Sequence, residues 1–281
     1  MTLNFIEKLN RFVGLYLTAF GTTIKGGAWL PFLIYTGLQM SALIFVVNYT
    51  NPFIYPLLSP LIVLIAGENA SLFDHYPTLY LLLPFVYQWF KIAIGIIFEG
   101  LAAGLTIVLI LRILAPTQHA GLKLAAAYKK WPQLLLVWTI ITAILWSIDT
   151  YLPPIFAEQL ADAPRRQMAF NIILRLLTVG IYSILMYAIP ALIVRNAGFL
   201  KSFRISIKLF IKYPIFSFFL AFIPILMTLP ASYGAANADI IVQKFSPELV
   251  FYIIFAGLFV EFIANYLLMA TLVKFMVDET E

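Results

Sequence analysis

The chain has 281 residues, 63% of them hydrophobic and only 11% charged, with a formal net charge of +5 and a mean hydropathy of +0.96. A water-soluble domain of this length needs a polar surface, and this composition does not supply one. It contains no cysteine, which excludes disulfides, thiolate metal sites and cysteine nucleophiles. The apolar stretches are continuous rather than alternating, which favours helices over a β-barrel. The expected class is an all-α, polytopic membrane protein forming one integral membrane domain over residues 1–281.

Residues 3–20 carry Phe5, Ile6, Leu9, Phe12, Val13, Tyr16, Leu17 and Phe20 at helical spacing, with Asn4, Glu7, Lys8 and Arg11 on the other face. Charge interleaved with apolar residues suits an interfacial amphipathic helix better than a signal peptide, whose apolar core is uninterrupted. The first span is expected at about 28–49, with Pro31 in its first turn. Residues 52–67 are apolar but short and broken by Pro52, Pro56 and Pro60, so they read as a re-entrant or interface-lying segment. Further spans are expected at about 79–114, 132–151, 168–194, 214–229 and 247–274. The second exceeds what a bilayer requires and is expected to tilt or protrude. Pro190 is expected to kink the fourth, and 231–246 reads as a small-residue outer loop. Ser246-Pro247-Glu248 reads as a helix start, with Ser as the cap.

Six spans place both termini on the same side. Lys8, Arg11, Lys25, Arg112, Lys123, Lys129, Lys130, Arg195, Lys201, Arg204, Lys208, Lys212 and Lys274 then all fall on the cytoplasmic side, against Arg165, Arg166 and Lys244 outside. The expected location is a cytoplasmic (inner) membrane.

The most distinctive stretch is Arg195 to Pro214. Lys201, Arg204, Lys208 and Lys212 line one helical face, and Phe199, Leu200, Phe203, Ile207, Phe210 and Ile211 the other. Such a helix suits the membrane interface, with cations among phosphates. With Lys129 and Lys130 these are the expected anionic-lipid contacts. Because the cations alternate with large apolar residues beside spans, lipid is a better partner than nucleic acid; a membrane-protein partner is also compatible. Lys130-Trp131-Pro132 parallels Lys212-Tyr213-Pro214, and each proline opens a span. This is either a weak internal repeat or a common way for a chain to enter a membrane.

Three basic amphipathic helices each preceding a span, together with Pro190, Ala197-Gly198 and Ser202-Phe203-Arg204, resemble a diffuse group of prokaryotic six-span proteins. The group includes the YciC-like inner-membrane proteins and the membrane domain found beside some glycerophosphodiester phosphodiesterases. The resemblance implies the six-span architecture and no shared activity, and the phosphodiesterase domain itself is absent from this sequence.

Four ionisable residues fall within spans: Lys91, Glu99, Arg175 and Glu261. Charges there usually face a bundle interior or a wet cavity. By depth, Glu99 and Glu261 are expected at one level and Lys91 with Arg175 nearer the outer side, with Gln88, Asn171 and Asn265 as hydrogen-bond partners. Functionally this is an ion or proton path, or a site for a polar substrate or lipid headgroup. Structurally it is a set of buried pairs that fixes packing, or basic side chains snorkelling outward. Gly100 and Gly104 beside Glu99 permit close helix contact. The histidines, His75 and His119, fall in different loops, so no metal centre or other cofactor is expected. No nucleotide loop, nucleophile elbow or zinc-protease motif occurs, nor an intramembrane Ser/His or Asp/Asp pair, so enzyme is the least favoured class. The expected function is transport or lipid handling through the interior charges; the alternative is a non-catalytic scaffold or accessory subunit acting through its basic inner-face helices.

Overall fold

The computed structural model describes residues 5–25, 27–116, 121–160 and 164–279. Its helices are α1 (Phe5–Ile24), α2 (Leu30–Val47), α3 (Tyr55–Ala66), α4 (Thr78–Ile94), α5 (Gly100–Leu114), α6 (Ala125–Lys129), α7 (Trp131–Leu160), α8 (Pro164–Leu185), α9 (Ala188–Val194), α10 (Phe199–Lys212), α11 (Pro214–Ala236), α12 (Ala238–Lys244) and α13 (Leu249–Asp278). A 3-10 turn over Gly67–Asp74 comes after α3, and a π-helical turn over Gly95–Glu99 joins α4 to α5. Among the described residues there is no strand. Seven segments are long and apolar enough to cross a membrane: Leu30–Val47, Tyr55–Asp74, Thr78–Leu114, Trp131–Ala157, Arg165–Val194, Pro214–Ala236 and Leu249–Asp278. In hydrocarbon each backbone polar group must bond within its own segment, and helices meet that demand. The architecture is that of a multi-pass membrane protein.

The bundle is built around α13. From Tyr266 to Val277 nearly every side chain of this helix is buried, because α1, α2, α5, α9 and α11 surround it. A helix that is apolar all round belongs in such a position. α1 runs antiparallel along this stretch: Arg11 Nη2 meets Glu279 Oε1 at 2.8 Å, and farther along Thr22 and Tyr266 share a 2.9 Å hydrogen bond. The expectation for residues 3–20 is a helix lying across the membrane face, yet α1 lies lengthwise beside a membrane-length helix. Leu15, Ala19 and Thr22 face α13, while Val13, Leu17, Phe20 and Ile24 form an exposed stripe opposite. An amphipathic period with a second apolar stripe is the signature of a helix gripped on one side. The side chains of Lys8 and Glu158, and residues Asn4, His119 and Asp162, lie outside the described set.

α3 and the 3-10 turn after it return to where they start. Tyr49 packs against Tyr55 (ring centroids 5.0 Å apart) at the beginning and against Phe73 (5.3 Å) at the end. The reversal falls at Gly67, whose φ of 55° suits a residue without Cβ.

Several boundaries differ from expectation. α7 continues through Pro153 and Pro154 to Leu160, nine residues beyond the expected end at 151; the carbonyls these prolines free belong to the exposed residues Asp149 and Thr150. The stretch 231–246 is not a loop. It finishes α11 and forms α12, and its small residues serve close packing: a Cβ on Gly234 would lie 2.9 Å from Ile253, and one on Gly257 of α13 would lie 2.8 Å from Ala231. Ser246 does not cap the helix backbone; its hydroxyl donates to the Glu248 carboxylate, and α13 begins at Leu249. Pro190 does interrupt the fourth span, separating α8 from the short helix α9, buried from Ala188 to Ile193.

The basic residues divide into distinct roles. Lys201, Arg204, Lys208 and Lys129 are exposed. On α10 the buried face is Ser202, Ile205, Ser206 and Leu209, and the apolar residues expected to form one face split. Leu200, Ile207 and Ile211 point outward beside the cations instead. Lys212 is bonded to Glu279 at 2.7 Å. Lys130 is not a free surface cation. Its ammonium donates to the carbonyls of Leu192 (2.6 Å) and Ala197 (3.1 Å), where α9 ends with Asn196 at a φ of 45°. Lys130→Met should therefore lower stability by about 1.5–3 kcal/mol, the cost of losing hydrogen bonds to a charged group. Lys129→Met should leave it within about 0.5 kcal/mol. Chemical unfolding of the two variants in the same detergent compares them; equal losses would remove Lys130 from this capping role.

Candidate functional site

Two apolar cores stack along the bundle, and the polar residues of three helices fall at the boundary between them. On α2, Phe32 and Tyr35 belong to one core and Leu43 and Val46 to the other, with Gln39 between. On α4 and α5, Leu79 to Tyr87 precede the boundary and Ala102 onward lies beyond it; Lys91 and Glu99 lie between. On α13, Val250, Ile254 and Leu258 lead to Glu261 and Asn265, and the second core begins at Tyr266. The layer opens into a cavity of about 660 Å³, walled also by α7 (Trp138, Thr142, Leu145, Asp149), α8 (Arg175, Thr178, Tyr182) and α11 (Pro224, Ile225, Thr228, Ser232).

The π-helical turn inserts an extra residue into the α4–α5 ladder directly before Glu99 and so re-aims the side chains of α5. Such bulges recur at functional sites. Glu99 is 8% exposed and is held by neutral donors: the Tyr35 hydroxyl donates to Oε2 at 2.6 Å, and Asn265 Nδ2 to Oε1 at 3.1 Å. Gln39 Nε2 donates in turn to the Tyr35 oxygen at 2.6 Å, and Tyr87 donates to the Gln39 backbone carbonyl at 3.2 Å. Lys91 is paired with Glu261, Nζ to Oε2 2.6 Å. Their side chains stay 31% and 21% exposed inside the bundle because both face the cavity.

Lys91, Glu99, Arg175 and Glu261 thus line one cavity, where the long Lys91 side chain reaches Glu261. Arg175 lies on the wall opposite α4, exposed, facing the α7 helix that carries Asp149, and no ion pair joins the two. Asn265 is the expected partner of Glu99; Gln88 lines the cavity; Asn171 is exposed and does not reach it. Sequence reading misses Tyr35, Gln39 and Asp149. Gln39 is visible as an amide in the middle of the first span's apolar run, with Tyr35 one turn before it; Asp149 falls next to an expected loop because the prolines after it suggest an early helix end.

The outer basic residues are not brought to this cavity. A second constellation lies at the end of α13. Glu279 accepts from Arg11 at 2.8 Å, from Lys212 at 2.7 Å, and from the Tyr213 hydroxyl at 2.8 and 3.0 Å, and the Arg11 guanidinium lies over the Tyr213 and Phe275 rings. Burial alone would push this carboxyl up, but the bonds from Lys212, Arg11 and Tyr213 together hold it down at about 2. Among the described residues no three His, Asp or Glu side chains converge as metal ligands. No family model, no curated protein and no solved structure matches this chain.

Proposed function

We propose that this chain is a non-enzymatic, six-span protein of a cytoplasmic membrane that binds the polar part of a small ligand in its mid-bundle cavity, as a transport or lipid-handling protein does. The observation that carries this reading is the cavity itself, with side chains of both charge signs and several hydroxyls along its wall, between two apolar cores. A purely structural set of pairs would close on itself. Here Arg175 and Asp149 face the space, and among the described residues neither is in an ion pair.

Six crossings, rather than seven, are supported by the return of α3 and the 3-10 turn to Tyr49. Both termini at one end are supported by the Arg11–Glu279 pair, and the cytoplasmic side by the exposed Lys201, Arg204 and Lys208 near that end. On α10 the outward Leu200, Ile207 and Ile211 flank these cations, an arrangement suited to anionic headgroups above an acyl boundary.

Native mass spectrometry of the protein released from its membrane in mild detergent tests the reading. A stoichiometric small molecule or lipid should be retained by the wild type. Its occupancy should fall about tenfold or more in Glu99→Gln or Arg175→Gln, the loss of one charge-assisted hydrogen bond. Retention unchanged in both variants, or a co-purifying protein with an empty cavity, would replace this reading with that of a scaffold or subunit.

A further inference from the structure

The cavity wall has one seam. Around it α4 packs on α13, α13 on α11, α11 on α8 and α8 on α7. α7 also meets the π-helical turn and α5, where Trp131 Nε1 donates to the Ile97 carbonyl at 3.0 Å. From that junction α4 and α7 diverge; among the described residues they do not lie side by side. An edge contact bridges them, between Trp89 and Trp146, 6.0 Å between ring centroids, extended by Tyr151 at 6.0 Å from Trp146. Phe85 and Gln88 on α4, and Leu145 and Asp149 on α7, line both the seam and the cavity behind it.

We propose that this seam is a lateral portal through which an amine-bearing, zwitterionic phospholipid places its headgroup in the cavity while its acyl chains stay in the bilayer. The inference rests on the cavity being a binding site and names the ligand class it takes. A route that opens sideways between two apolar helices gives access to molecules dissolved in hydrocarbon. The volume of about 660 Å³ falls within the range of drug-sized sites, roughly 300–1,000 Å³, so a headgroup fits and two acyl chains do not. At the seam the polar Gln88 and Asp149 stand beside the apolar Phe85 and Leu145, and Arg175, Glu99 and Asn265 also line the cavity.

The head chemistry is set by which charges are already committed. Lys91 is bound to Glu261. Among the described residues Arg175 is in no ion pair, and it presents the planar fork that suits a phosphate. Among the described residues Asp149 and Glu99 are carboxylates without an ion pair, and a primary ammonium can donate hydrogen bonds to them. A quaternary ammonium cannot donate and is held by aromatic cages instead. A solely anionic headgroup would leave both acids facing negative charge.

The test uses the full chain reconstituted in vesicles containing phosphatidylethanolamine with a photoactivatable group on the acyl chain near the glycerol. Matched phosphatidylcholine and phosphatidylglycerol probes serve as comparisons. Adducts should map to Phe85, Gln88 and Leu145, about tenfold more with the ethanolamine probe. Leu145→Trp or Phe85→Trp, which narrow the seam, should abolish them. Asp149→Asn with Arg175→Gln should remove the headgroup preference. Equal labelling by all three probes, confined to outward residues such as Leu81 and Ile140, would overturn the portal. So would a ligand retained in native mass spectra regardless of Leu145→Trp, although the cavity reading would then survive; loss of all retained ligand from the wild type would sink both. Two independent narrowing variants guard against a single misfolded one.

Discussion

Replacing Glu279 by Ala should release α1 and the α10–α11 elbow from α13 at once. One carboxylate holds the Arg11 guanidinium, the Lys212 ammonium and the Tyr213 hydroxyl, and its side chain is 8% exposed. Without it, Arg11 sits partly buried over Tyr213 and Phe275 and loses this ion pair. A carboxyl held at about 2 rather than near its ordinary value corresponds to a contribution on the order of 1–3 kcal/mol. The sign is that of a depressed acid. The stabilisation is complete above the unfolded value of about 4.3 and is lost as pH falls toward 2. Denaturant unfolding in one detergent should therefore be flat in this contribution from about pH 5 to 8 and decline below about 4, and Glu279→Gln should remove that part of the decline. Hydrogen exchange should show amides of α1 opening first. A double-mutant cycle with Arg11→Ala should give non-additive losses; strict additivity would show that the clasp is not a unit.

The clasp also shows what sequence could and could not reveal. The acidic end of the chain reads as a short tail because no local pattern connects Glu279 with Arg11, 268 positions away. Spans are legible wherever one residue class dominates for a membrane's length, and the break at Pro190 is legible from proline chemistry. The boundaries that fail, Pro153-Pro154 and 231–246, fail because prolines and small residues mean a turn in water but are compatible with a continuing helix where neighbours supply close packing. Three of the four intramembrane charges gather in one layer, because Lys91, Glu99 and Glu261 all mark the same boundary between cores. Their pairing is not legible, since it depends on helix rotation, and the π-helical turn changes rotation partway along the second span. Basic residues at regular spacing on α10 read as one face against one apolar face. The structure adds a third, protein-facing side of serines and aliphatics that the contrast of charge with bulk obscures.

Gly100→Ala should be strongly damaging, and Gly104→Ala, one turn on, should be mild. A Cβ on Gly100 would lie 2.9 Å from the carbonyl oxygen of Leu134 and 3.1 Å from its carbon, so helix α7 itself must move. A Cβ on Gly104 would lie 2.6 Å from Leu134 Cδ1, the end of a side chain that can rotate. Overpacking against backbone should cost about 3 kcal/mol in the first case. In the second, the gain in helix propensity of about 1 kcal/mol offsets much of the strain. The consequence reaches the site, because Gly100 directly succeeds Glu99 and α7 carries Trp138 and Asp149 of the cavity wall. Gly100→Ala should thus lower both the unfolding midpoint and ligand occupancy in native spectra, whereas Gly104→Ala should change neither by much. The reverse order of damage would mean that α5 and α7 do not approach through Gly100, and that the position of Glu99 is set by something other than this helix contact.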